Sequence, residues 1–149
     1  MIIKEVYEML DIELAKKTLK EEDLTCVMVL NGKVCYTSLE KGLRPLLLPL
    51  NQDEDSIRGM VLADRCIGKA AALLAIYGGI KEVYAEVISS SAKELLQEAE
   101  IPLQFHQEVE YIKNRLATDM CPMEKMVLDI CDPKTAYTTI IEFIRNHAK

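Results

Sequence analysis

The 149-residue chain has only two histidines and no apolar run of the length that crosses a bilayer. His106 and His147 do not have the spacing of metal ligands. A membrane-spanning helix needs about 20 consecutive apolar residues, and the start of the chain, Met1–Glu5, lacks the basic and then apolar order of a secretory signal. We therefore expect no membrane partner and a cytoplasmic location.

Basic residues are also in short supply, since 18 Lys and Arg stand against 24 Asp and Glu, for a net charge of −6. Nonspecific binding to a phosphate backbone needs a basic face that displaces counterions. Nucleic acid is therefore excluded as a general partner. The 149 residues, half of them hydrophobic, suffice for one buried core. We predict a single domain over residues 1–149.

The cysteines show no close pairing that would indicate a disulfide framework. They are odd in number and lie mostly among apolar neighbours, which is typical of reduced thiols in a cytosolic protein. These five residues are Cys26, Cys35, Cys66, Cys121 and Cys131.

The amino-terminal part of the chain predicts a helix and then a hairpin. Apolar residues recur at helical spacing from about Val6 to Leu19. The apolar run Leu24–Leu30 is separated from Lys33–Ser38 by Asn31-Gly32, a pair favoured in two-residue type I′ turns. Because the first arm is apolar on both faces, we expect helices on both sides of the sheet.

The middle of the chain is harder to divide. Glycine and two prolines interrupt residues 40–55, which we interpret as a long ordered loop. A helix is predicted to begin near Asp64 and to run through several alanines to Tyr77, where Gly78-Gly79 supplies the left-handed position that ends it.

The remaining elements alternate. Val83–Ile88 predicts a strand, the serines that follow it predict the cap of a helix ending near Ala99, and Leu103–Val109 predicts a second strand. A crossover of this kind makes the two strands parallel. Pro122 and Pro133 each suit the first turn of a helix.

Four separated motifs carry a family resemblance. They are Ala63–Ala72, Gly42–Leu47, Ile112–Arg115 and Cys121–Glu124. With these motifs in this order, the chain resembles the bacterial family of domain of unknown function 1893, from about residue 24 to residue 128. The order of elements resembles the cytidine-deaminase-like fold. The resemblance implies a three-layer α-β-α sandwich whose mixed sheet has an amino-terminal hairpin and parallel strands.

The chemistry of zinc deaminases is not expected from these residues. Such enzymes need a His or Cys with a Glu two residues later at one helix start, and Pro-Cys-x-x-Cys at the next. Here the residue two positions after Cys66 is Gly68 and not Glu. The segment Ser89–Ala92 occupies the place of the paired thiolates. We therefore predict no metal and no other cofactor.

What remains is a pocket flanked by two helix starts, whose free N–H groups favour an anionic ligand such as a nucleotide-like metabolite. The candidate ligand-binding residues are Arg44, Cys66, Lys69, Ser89, Ser90, Asn114 and Arg115. For single residues, helix capping or solvation is the alternative role.

Two functions from different classes stay open. One is a small-ligand-binding protein without zinc, and the other is a metal-free enzyme that uses some of Asp64, Lys69, Cys121 and Glu124. Cys121 before Pro122 is a candidate nucleophile, although an inert buried thiol is the alternative. We also predict a homodimer, since the apolar face of the last helix suits a partner chain as well as the chain's own sheet.

Overall fold

A computed structural model describes residues 9–147, in which one five-stranded mixed sheet carries helices on both faces. The strand order is β2-β1-β3-β4-β5; β1 is antiparallel to both of its neighbours, whereas β3, β4 and β5 are parallel. The elements are α1 (Asp11–Glu21), β1 (Cys26–Leu30), β2 (Lys33–Ser38), α2 (Arg44–Gln52), β3 (Val61–Ile67), α3 (Lys69–Gly78), β4 (Glu82–Ser89), α4 (Ser90–Glu98), β5 (Leu103–Val109), α5 (Pro122–Met126) and α6 (Pro133–His147).

The predicted hairpin is confirmed. Leu30 pairs with Lys33 in an antiparallel ladder, and the two turn residues, Asn31 and Gly32, both have positive φ, at 49° and 81°. A type I′ turn demands that conformation at both positions, which explains why this dipeptide fixes the register.

Strand β1 is covered on both faces, as its apolar run predicts. Val27 and Val29 pack with α1 on one side, whereas Cys26 and Met28 belong to the larger core on the other. All four side chains are fully buried. Among residues 9–147, helix α1 is therefore the helix that covers one face of the sheet, and the larger core lies between the sheet and the helices on its opposite face.

Helix α1 begins later than predicted. Leu10 has an extended backbone, with φ −61° and ψ 148°, so that the first helical residue is Asp11. Val6 lies outside the described residues. The buried side of the helix is formed by Ile12, Ala15 and Leu19.

The predicted loop over residues 40–55 is wrong, because Arg44–Gln52 forms helix α2. Pro45 stands in the first turn, where its missing N–H costs nothing. Pro49 does lie inside the helix and removes one backbone hydrogen bond. Burial of Leu46, Leu47 and Leu50 in the large core compensates for that loss.

The predicted helix start near Asp64 is also wrong, since Val61–Ile67 forms the central strand β3. The strand is paired on both sides and its first four residues are buried, an environment that strongly favours a sheet. Helix α3 begins only at Lys69. Its end is as predicted, because Gly79 has the left-handed φ of 78°.

The carboxyl-terminal half follows the prediction. Strands β4 and β5 are parallel, the Ser89 hydroxyl caps α4, and α5 and α6 begin at the two prolines. In α6, Ile140 is fully buried in the chain's own core, and the Tyr137 ring stacks on Tyr77 with centroids 4.7 Å apart. None of the helices described in residues 9–147 has the length and apolar character of a membrane span.

Candidate functional site

A cavity of about 800 Å³ opens at the carboxyl end of β3. Three of the described helices begin beside it: Gly42 and Leu43 precede α2, Gly68 precedes α3, and Cys121 precedes α5. Helix starts near Asp64 and Ser89 were predicted at this pocket. The first of these helices begins instead at Lys69, and Ser89, the cap of α4, does not line the cavity.

Six predicted site residues do line the cavity. They are Asp64, Cys66, Asn114, Arg115, Cys121 and Glu124. They come from β3, from the loop after β5 and from α5, so the fold brings together residues that lie about 60 positions apart in the chain.

Asp64 is a buried carboxyl group on the cavity wall, with 7% of its surface exposed. The Cys66 N–H donates a hydrogen bond to Asp64 Oδ1 at 3.3 Å. Among residues 9–147, no side chain donates to this carboxyl and no cation forms an ion pair with it. Burial raises the pKa of Asp64 to about 7, an effect that the backbone N–H groups of Cys66 and Arg65 only partly oppose.

Glu124 has a different role, because its carboxylate caps helix α3. Its Oε1 accepts from Lys69 N–H at 2.6 Å, and its Oε2 accepts from Ala70 N–H at 3.0 Å. A carboxylate at a helix amino terminus satisfies free N–H groups and interacts favourably with the helix dipole. The position where the sequence predicted a ligand anion is thus filled by the protein's own carboxylate.

Gly68 makes this cap sterically feasible. A Cβ atom on Gly68 would lie 2.3 Å from Glu124 Oε1, far closer than such atoms approach. Gly68 has an ordinary extended backbone, with φ −99°. The glycine is therefore required for space and not for its conformational freedom.

Two thiols lie in the same cavity. Burial raises the pKa of Cys66 to about 11, and the nearby acidic groups Asp64, Glu124 and Cys121 add to the effect. At neutral pH Cys66 is therefore a thiol and a poor nucleophile. Cys121 is partly exposed and immediately precedes α5.

The outer rim of the cavity carries exposed basic side chains from two loops, namely Lys41, Lys113 and Arg115. Within the described residues, none of the three forms an ion pair or a side-chain hydrogen bond. Asn114 stabilises the loop that carries Lys113 and Arg115, since its Oδ1 accepts a hydrogen bond from Thr118 N–H at 3.1 Å.

Four predicted site residues do not line the cavity. The exposed Arg44 lies 3.9 Å from Glu40, and the Lys69 ammonium donates to the Leu128 carbonyl at 2.8 Å. Ser89 is buried and accepts from Ala92 N–H, whereas the Ser90 hydroxyl donates to Glu108 at 2.7 Å. Arg44 was predicted in a loop but begins helix α2, and the start of α4 at Ser89 lies outside the cavity.

Several lining residues were not predicted. They include Thr25, Glu40, Lys41, Leu43, Ile112 and Lys113. Leu43 and Lys113 lie inside two of the family motifs, so the motifs did contain a signal for them. Thr25 and Lys41 lie in connecting segments, which carried none. Within residues 9–147, no group of three or more His, Cys, Asp and Glu side chains is placed to hold a metal ion.

Comparisons with known proteins identify a family and a similar solved structure. A family model described as TM1506, domain of unknown function (DUF1893), matches residues 14–144. The crystal structure of a DUF1893 family protein from Thermotoga maritima superposes with a TM-score of 0.80 and 26% sequence identity, covering 89% of this chain and 88% of that one. No curated protein matches the chain.

Proposed function

The chain belongs to the DUF1893 family, and from this premise we propose that it binds a small anionic, nucleotide-like metabolite on a cytidine-deaminase-like scaffold. The scaffold is supported by the element order, in which a helix and a hairpin precede alternating helices and strands. The binding function is supported by the cavity, whose volume lies in the range of about 300–1,000 Å³ typical of metabolite sites.

The observation that carries the proposal is the Asp64 carboxyl group on the cavity wall. A buried polar group that lacks a partner costs free energy, typically about 1–3 kcal/mol. Asp64 receives only backbone N–H groups from the described residues and keeps unused acceptor capacity toward the cavity. A ligand that supplies the missing partner recovers that free energy on binding.

The anionic part of the ligand is inferred from the rim. Lys41, Lys113 and Arg115 are exposed around one opening of a protein with net charge −6. Clustered basic groups raise the local concentration of anions and increase their association rate. The start of α3 is not needed for this attraction, since Glu124 already caps it.

A metal-free enzyme is the second candidate, and the pKa of Asp64 favours it. A carboxyl group that titrates at about 7 is suited to general acid–base catalysis at neutral pH. Cys121, in the same cavity, is the candidate nucleophile. Lys69 has no part in this version, because its ammonium binds the Leu128 carbonyl.

Native mass spectrometry of the freshly purified, untagged protein tests the binding function first. An anionic adduct that disappears in the double variant Lys113→Ala, Arg115→Ala supports it, and Lys81→Ala, at an exposed position just before β4, is the matched control. If a screen of nucleotides and phosphorylated metabolites gives no adduct and no thermal shift, the proposal fails. The same spectra report subunit number and so test the predicted homodimer.

The two functions separate on conservative substitutions. If the chain is an enzyme, Asp64→Asn and Cys121→Ser abolish turnover of the bound compound while its affinity changes little. If the chain only binds, both variants change affinity and no product is formed by the parent protein. Product analysis of the identified ligand after incubation decides between them.

A further inference from the structure

The charged groups of the cavity differ with depth. The buried charged residues that line it are both acids, Asp64 and Glu124, each 7% exposed. The exposed charged residues that line it are one acid, Glu40, and three bases, Lys41, Lys113 and Arg115. A ligand in this cavity therefore meets an acidic inner end and an outer end where bases outnumber acids.

No base from the described residues reaches the inner end. Arg65 lines the cavity, but its guanidinium donates to the carbonyls of Leu19 and Leu24 and pairs with Glu86 at 2.7 Å. Arg44 is exposed outside the cavity. The described part of the chain thus supplies no basic side chain to the inner acids.

Of the two inner acids, only Asp64 is open to a ligand. Both oxygens of Glu124 accept backbone N–H groups of α3, whereas no side chain among residues 9–147 contacts the Asp64 carboxyl by a hydrogen bond. The titratable groups around Asp64 are three thiols and one carboxylate, namely Cys26 across the β1–β3 pair and Cys66, Cys121 and Glu124 in the cavity, so the described residues place no cation against it there. A ligand anion at the inner end would be repelled by the carboxylates of Asp64 and Glu124.

We propose that the cavity selects a bipolar ligand, which places a hydrogen-bond-donating nitrogen group against Asp64 and an anionic group between Lys41, Lys113 and Arg115. This inference rests on the proposed binding function and adds a ligand class and an orientation to it. The inner group is an amine, an amidine or an amino-bearing heterocycle, and the outer group is a phosphate or a carboxylate.

The selectivity follows from the cost of mismatch. An amino group donates a charge-assisted hydrogen bond to Asp64, whereas an alkyl end leaves the carboxyl group desolvated and unmatched. A keto group in place of the amino group would put its oxygen, an acceptor, against the acceptor oxygens of the Asp64 carboxylate. The donor group is therefore expected to improve affinity about tenfold or more.

Isothermal titration calorimetry at pH 8 tests the inference on the parent protein. The probes are ω-aminoalkyl phosphates of two to six carbons, alkyl phosphates of equal length, and the nucleotide pair AMP and IMP, which differ in an amino and a keto group. We expect the best aminoalkyl phosphate to bind about tenfold tighter than its alkyl partner, and AMP to bind tighter than IMP.

Substitutions test which residues bind the inner and the outer end of the ligand. Asp64→Asn should abolish the preference for the amino probes, with the aminoalkyl phosphates bound more weakly than by the parent and the alkyl phosphates bound at least as tightly. Lys113→Ala with Arg115→Ala should weaken both series by the same factor, and Lys81→Ala should change neither. Circular dichroism verifies that each variant is folded.

The same titrations distinguish failure of the bipolar inference from failure of the binding function. If alkyl phosphates bind as tightly as aminoalkyl phosphates and IMP as tightly as AMP, the bipolar inference is overturned while the binding function stands. If neither phosphate series nor either nucleotide binds, both are overturned.

Discussion

Replacing Asp64 by Asn should change how the stability of the protein depends on pH. The pKa of Asp64 is about 7 in the folded protein, against 3.8 for an exposed aspartate. Between pH 4 and pH 7 the folded chain therefore holds a proton that the unfolded chain releases. The free energy of unfolding of the parent protein falls as the pH rises through this window. Asn does not titrate, so the variant escapes that loss.

The size of the effect follows from the same pKa values. Between pH 5 and pH 8 the unfolded carboxyl group stays ionised, while the folded group loses its proton near pH 7. About two pH units lie between pH 5 and that pKa, and each is worth about 1.36 kcal/mol. Relative to the parent, the variant should therefore gain up to about 2.5 kcal/mol in unfolding free energy between pH 5 and pH 8.

Urea unfolding followed by far-ultraviolet circular dichroism measures this difference at pH 5, 6, 7 and 8, with a reductant present for the free thiols. Other titrating groups are common to both proteins and cancel in the comparison. The exposed Asp129→Asn variant is the matched control and should run parallel to the parent. Parallel curves for the Asp64→Asn variant as well, within about 0.5 kcal/mol, would refute the assignment of a proton to buried Asp64.

Three further substitutions test the framework of the site. Gly68→Ala should cost about 2–3 kcal/mol of unfolding free energy, because the new Cβ displaces the Glu124 carboxylate from α3; a loss below about 0.5 kcal/mol in urea titrations would contradict this. Arg65→Ala should cost about 2–3 kcal/mol, since two backbone carbonyls lose their donor; Arg58→Ala, an exposed arginine, is the control and should change the urea midpoint little. Ser89→Ala should cost about 1 kcal/mol through loss of the α4 cap, and an unchanged midpoint would show that the hydroxyl does not act as that cap.

Local signals were sufficient for much of the fold. The Asn31-Gly32 turn has one favoured backbone geometry, and that geometry fixed the hairpin and its register. The Ser89 cap and the left-handed Gly79 likewise act within a few residues of the chain, and both were predicted correctly.

The errors arose where tertiary context decides the structure. Only Gly68 separates Val61–Ile67 from helix α3, so the sequence contains no clear boundary. Pairing with β1 and β4 makes the segment a strand. Helix α2 tolerates Pro49 because its leucines are buried in the core. The strands that pair with β3 and the core residues that pack on α2 lie elsewhere in the chain, so the local sequence does not reveal them.

The candidate site was predicted in part for the same reason. Asp64, Cys66, Cys121 and Glu124 were selected because their motifs carry reactive groups, and the fold places all four in one cavity. The cap that Glu124 provides depends on a hydrogen bond with a residue 55 positions away, and no rule of residue spacing predicts such a contact.

That long-range contact also sets the moment during synthesis when the site is finished. When α3 leaves the ribosome, its first N–H groups have only water to bind, because the carboxylate that caps them is encoded 54 and 55 positions later. All five strands precede residue 110, whereas Glu124 and the Asn114 loop follow it. A nascent chain that has just completed its sheet thus has the floor of the cavity without one of its walls. The cavity is therefore complete only after that last segment has emerged.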